Sequence, residues 1–139
     1  MVAITHGRTR QIQPLTAVLR LAVVALTLAT AVIHARLGGL LFLANAIGYS
    51  VLAVAMVAPG PLGRVRWLIR LALMGFTATT VIGWLLFGAR FDLAYLDKAI
   101  EVTLIGVLGL ELWLVDGGPT AIVRRARRML ALALTRVAS

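Results

Sequence analysis

The stretch LDKAIEVTLIGVLGLELWLVD (Leu96–Asp116) has the length and apolar content of a membrane-crossing helix, yet it carries Asp97, Glu101 and Glu111 where a bilayer favours leucine. On a helix turning about 100° per residue, these acids lie within about 40° of one line, beside Leu104 and Leu108. One narrow acidic stripe must face protein, because a carboxylate turned to lipid at mid-bilayer costs about 3 kcal/mol. The helix rise puts Glu101 and Glu111 about 15 Å apart, too far to act as an acid/base couple. Between them Val102–Leu110 is apolar, and its only relay group, Thr103, lies off the stripe.

Composition sets the class. Of 139 residues, 61% are hydrophobic and only 14% charged, with a mean hydropathy of +0.99. Soluble domains run nearer a quarter charged. Four spans of about 20 residues, with short connectors and a tail, use up the length. The formal net charge of +9 comes from arginine, Lys98 being the only lysine. These cations stand at the edges of apolar runs, which orients a membrane protein and argues against nucleic-acid binding. With no cysteine, disulfides, thiolate metal sites and cysteine nucleophiles are excluded.

The expected architecture is all-α: a four-transmembrane-helix bundle with a C-terminal amphipathic interfacial helix. Residues 1–14 form a polar, basic lead, with Pro14 placed at a helix start. The spans are expected at about 15–35, 40–58, 67–88 and 93–115. HARLGG (His34–Gly39), PGPLG (Pro59–Gly63) and DGGP (Asp116–Pro119) supply the reversals. An alternative makes Arg8, Arg10 and Arg20 the basic region of a cleaved signal peptide, with ATA as the cleavage site; uninterrupted continuation to Ile33 favours a retained span. Residues 117–139 gather Arg124, Arg125, Arg127 and Arg128 on one side of a helix and apolar residues on the other, which suits an interface of anionic lipid. The asymmetry of basic residues places both termini in the cytoplasm of a multi-pass cell-membrane protein.

AVIHARLGGLLFLANAIGYSVLAVAMVAP, with a histidine ending the first span and the pattern GxLFLxNAxG (Gly39–Gly48) opening the second, resembles small four-span bacterial integral membrane proteins of unassigned function. DKAIEVTLIGVLGLEL echoes the same proteins. The resemblance implies a four-span membrane protein and brings no activity and no functional residues.

The candidate site residues follow from depth. Asp97 and Glu101 are level with His34, Arg36, Arg90 and Lys98, and Glu111 is level with Arg20 and Arg70, so ion pairs would lower the insertion cost. Asn45 and Tyr49, four apart, share a face suited to interhelical hydrogen bonds or, alternatively, a small polar ligand. Small residues at Ala44 and Gly48, and at Gly75, Thr79 and Gly83, allow close helix approach. No cofactor or metal is expected: His34 is the only histidine inside the spans, so a bis-histidine haem lacks its second ligand. A phosphate loop, a zincin motif and a serine elbow are also missing. The expected function is therefore non-enzymatic: an accessory or structural subunit acting through helix contacts, with itself as a homo-oligomer or in a larger membrane complex. The alternative is a small transporter or a proton- or ion-conducting oligomer using the acidic stripe.

Overall fold

The computed structural model describes residues 6–137, with side chains from residue 14 to residue 135, and every regular element among them is helical. In chain order these are α1 (His6–Leu37), α2 (Leu40–Val57), the single turn α3 (Pro61–Arg64), α4 (Arg66–Phe87), α5 (Asp92–Asp116) and α6 (Gly118–Val137). The lead expected before Pro14 is, from His6 onward, part of α1, and Pro14 lies inside that helix. Lacking an N–H, Pro14 leaves the carbonyl one turn earlier without its intrahelical donor. The side chains of Arg8 and Arg10, on which part of the expected orientation rests, lie outside the described residues.

Glycine makes the reversals. Gly38 and Gly39 take φ of 71° and 82° between α1 and α2, and Gly117 and Gly118 take 81° and 78° between α5 and α6. Side-chain-bearing residues meet their own carbonyls in this left-handed region, so paired glycines turn the chain where longer loops would otherwise be needed.

α1 packs against α2 and α5, and α4 packs against α5 and α2. Val23, Met56, Ile69, Leu73, Leu104 and Leu108 form the buried apolar layer between them. Phe76 of α4 seats on Gly48 of α2: a Cβ there would lie 2.7 Å from the ring's Cζ. The small residues Gly75 and Gly83 of α4 do no such work within the chain, since a Cβ on either meets nothing within 4 Å. Outside the core the pattern of a soluble protein is reversed, with Leu40 86%, Leu41 71% and Phe87 88% exposed.

Three helices, not the four expected, are long and apolar enough to cross a membrane: Pro14–Leu37, Leu40–Val57 and Arg66–Phe87. These mark a membrane protein by length and composition. Charge separates α5 from them. Its 25 residues reach about 37 Å, but they include Asp92, Asp97, Lys98, Glu101, Glu111 and Asp116. The expected interfacial arrangement at the C-terminal end is likewise not displayed. α6 packs on α5 only near their junction, and Val123–Thr135 are exposed all round, so neither face is covered.

Gly39→Ala and Gly117→Ala are each expected to cost about 1–2 kcal/mol through left-handed strain, read as lower midpoints of denaturant unfolding in detergent micelles. Gly83→Ala, in open helical space, should leave the midpoint unchanged or raise it.

Candidate functional site: two buried charge clusters

The charges of α5 gather in two clusters. The first joins the N-terminal part of α4 to the C-terminal part of α5. Arg70, one turn into α4 and 2% exposed, donates through one Nη to Glu111 Oε1 at 2.7 Å and through the other to Asp116 Oδ2 at 2.8 Å. Arg20 of α1 brings its Nε to 4.0 Å from Glu111 Oε1, and Arg125 of α6 donates to Asp116 Oδ1 at 2.9 Å. One guanidinium thus ties α4 to α5, and Asp116 in turn ties α5 to α6. The fork of donors on arginine suits this divided recognition, which a lysine point charge would not reproduce. Glu111 Oε2 and the Nε atoms of Arg20, Arg66 and Arg70 make no hydrogen bond among the described residues. Arg66 instead donates an Nη to the Ala58 carbonyl at 3.0 Å, satisfying the backbone where α2 ends.

The second cluster lies at the opposite end, where α1 and α4 finish and α5 begins. Asp97 and Glu101, one helical turn apart, both face inward and are 1% and 0% exposed. Asp97 Oδ1 accepts from the Thr30 hydroxyl at 2.6 Å, and Oδ2 meets the Lys98 ammonium at 2.9 Å. Glu101 Oε1 accepts from Tyr49 at 2.7 Å and from Thr80 at 2.9 Å, and Oε2 accepts from Lys98 at 2.5 Å. Helices α1, α2, α4 and α5 therefore all contribute to one polar knot. His34 lies against it, its ring 5.5 Å from that of Tyr49 and 5.9 Å from that of Phe42. Its Nδ1 is 2.9 Å from the Thr30 carbonyl oxygen, a pure acceptor, so Nδ1 carries a proton and donates. Nε2 makes no hydrogen bond among the described residues; Glu101 Oε1 is 3.9 Å away.

His34, Asp97 and Glu101 offer ligand atoms within 4.8 Å of one another, a donor set suited in type to a divalent metal. The Lys98 ammonium already stands between both carboxylates, so a metal would have to displace it. Beside the cluster a cleft of about 420 Å³ runs between α2 and α4, with Phe42, Phe76, Trp84 and Phe87 on its walls and His34 and Lys98 at its inner end.

Between the clusters the interior is lined by apolar side chains. Val23, Met56, Leu73, Leu104 and Leu108 are fully buried there. The buried hydroxyls of Thr27 and Thr77 are spent on the carbonyls of Val23 and Leu73, one turn back in their own helices. Thr103 is exposed and bonded to the Ala99 carbonyl.

Several expected residues fall elsewhere. Arg36 is exposed and pairs with no acid among the described residues. Arg90 stacks its guanidinium 4.1 Å over Trp84 and donates to the Leu85 carbonyl. Asn45 is half-buried in the cleft wall without a hydrogen bond among the described residues, whereas Tyr49 bonds Glu101. Arg124, Arg127 and Arg128 are exposed, and Arg125, expected at lipid with them, reaches Asp116 instead. Sequence reasoning misses Thr30 and Thr80, whose signal is their position one turn before His34 on α1 and one turn after Phe76 on α4, and it takes Asp116 only as a helix stop.

Arg70→Ala is expected to destabilise the fold by about 3–5 kcal/mol, because Glu111 is left buried with no hydrogen-bonded cation, Arg20 remaining at 4.0 Å. The double variant Arg70→Leu with Glu111→Leu should recover most of that loss, since Asp116 keeps Arg125. Denaturant unfolding of both variants in micelles reads the difference. Comparison with known protein families, with curated proteins and with solved structures finds no match.

Proposed function

We propose that this chain is a non-enzymatic, multi-pass protein of the cell membrane. In this reading it crosses the bilayer four times as a four-helix bundle and serves as an accessory or structural subunit through helix contacts. One observation carries it: Asp97, Glu101 and Glu111, the acids inside α5, are all buried and each meets a basic group of the chain within 4.0 Å. A helix whose charges are neutralised internally can cross hydrocarbon although its composition alone argues against it. The paired clusters then act as locks, one at each end, holding α5 in register with α1 and α4.

The basic residues Arg64, Arg66, Arg70 and Arg124–Arg128 lie toward one end of this bundle, which favours the cytoplasm for that end and for both termini. α6, with arginines along one side and no covered face, suits the anionic leaflet there. Exposed Gly75 and Thr79 on α4 leave room for a second helix, in this chain's own oligomer or a larger complex.

The rival reading, proton or ion conduction along the acidic stripe, needs a polar path between the clusters. The buried leucines and the self-bonded threonines oppose it within one chain. Purified chain in liposomes is expected to carry no proton or ion flux above protein-free vesicles. Glu101→Gln should lower unfolding stability, since the Lys98 ammonium loses a charged partner. Robust flux in the wild type, abolished by a Glu101→Gln variant that folds as well as wild type, would overturn the accessory reading.

A further inference from the structure

The cleft beside the Asp97–Glu101 cluster is left over by the ion pairing. Its walls are apolar and aromatic, and Leu41 and Phe87 among them are 71% and 88% exposed, continuing onto the outer surface. In the four-crossing reading that surface meets lipid, so the cleft opens sideways into hydrocarbon. Its volume of about 420 Å³ falls among small-molecule sites rather than packing defects.

The inner end is polar, and its charges are already matched. Each oxygen of Asp97 and Glu101 accepts from Lys98, Thr30, Tyr49 or Thr80. A charged headgroup would find no free counter-charge there and would bear its full desolvation cost. What remains open is neutral in kind. His34 Nδ1 donates to the Thr30 carbonyl, so in the neutral tautomer Nε2 presents a lone pair, and Nε2 has no hydrogen bond among the described residues. The Asn45 amide, on the cleft wall, is also without one and can both donate and accept.

We propose that this cleft binds an uncharged amphiphile drawn from the bilayer: a hydroxylated ring with a hydrocarbon tail, its hydroxyl donating to His34 Nε2. The ring lies beside Asn45, and the tail lies along Phe76 and Trp84 toward Phe87. Aromatic walls favour a ring headgroup by offset and edge-on stacking. The route from lipid rests on the four-crossing reading; binding itself does not, so it is tested in detergent, where failure to bind leaves that reading standing.

The probe is 4-decylphenol carrying a photoreactive diazirine in its tail, with the O-methyl ether of the same molecule as the control that cannot donate. The purified full chain in micelles is irradiated with each, and labelled positions are mapped by mass spectrometry. Phenol labels are expected to concentrate on the cleft-lining parts of α2 and α4. The ether should label roughly three- to tenfold less, the value of one hydrogen bond. His34→Leu should bring phenol labelling down to the level of the ether. Gly83→Leu fills the cleft from a position where an added Cβ meets nothing within 4 Å, so it should fold and lose the labelling. Equal labelling by phenol and ether, labels spread evenly over exposed faces, or labelling that survives Gly83→Leu would overturn the proposal. So would dimers joined through this cleft in place of labelling, which would assign it to a second copy.

Discussion

Everything in this molecule depends on neutralising α5 inside the protein. A 25-residue helix with carboxylates at both depths is unfit for lipid and unnecessary for a soluble core. In the four-crossing reading it becomes tolerable because Arg70 meets Glu111 at 2.7 Å and Lys98 meets Glu101 at 2.5 Å. Buried ion pairs are weak sources of net stability, since desolvation consumes most of the Coulomb gain. Their value here is positional. An unpaired carboxylate at either depth is so costly that rotation or sliding of α5 is heavily penalised. The charges therefore favour the observed register of α5.

The two clusters differ in chemistry, and the difference has consequences. Around Arg70 the partners are guanidinium and carboxylate, with α6 joined through Arg125 and Asp116. That end reads as an anchor: it fastens the start of α4, the end of α5 and the helix that follows. Around Glu101 the partners are hydroxyls, one ammonium and a histidine with a free nitrogen, next to a cleft. That end has spare capacity for a ligand. The apolar layer of Leu73, Leu104 and Leu108 keeps the two ends chemically separate.

Much of the helical layout was legible in the sequence because it depends on local rules. Apolar runs give the helices, and the glycine pairs at 38–39 and 117–118 give the reversals through a backbone region that other residues avoid. Depth along a helix is also local: counting residues from the helix ends brings Arg70 level with Glu111. Rotation of one helix about its axis is not local. Thr30 and Thr80 meet the carboxylates only because α1 and α4 turn those faces inward, and α4 is set by Phe76 seating on Gly48. The same rotation leaves Asn45 facing a cleft and Arg90 lying on Trp84, where spacing alone pointed to hydrogen bonds and ion pairs. A fourth crossing does not follow from length alone, since the charge that α5 carries sets it apart from the three apolar helices.

The central claim is that α5 crosses the bilayer with its charges paired within the bundle. The chain has no cysteine, so single cysteines report topology without background. Ala89→Cys before α5 and Thr120→Cys after it both occupy exposed positions. Labelling with a membrane-impermeant maleimide, in intact cells and in inverted vesicles, locates each site. The account predicts that residue 89 labels only from outside and residue 120 only from the cytoplasmic side. Labelling of both positions from the same side would contradict it.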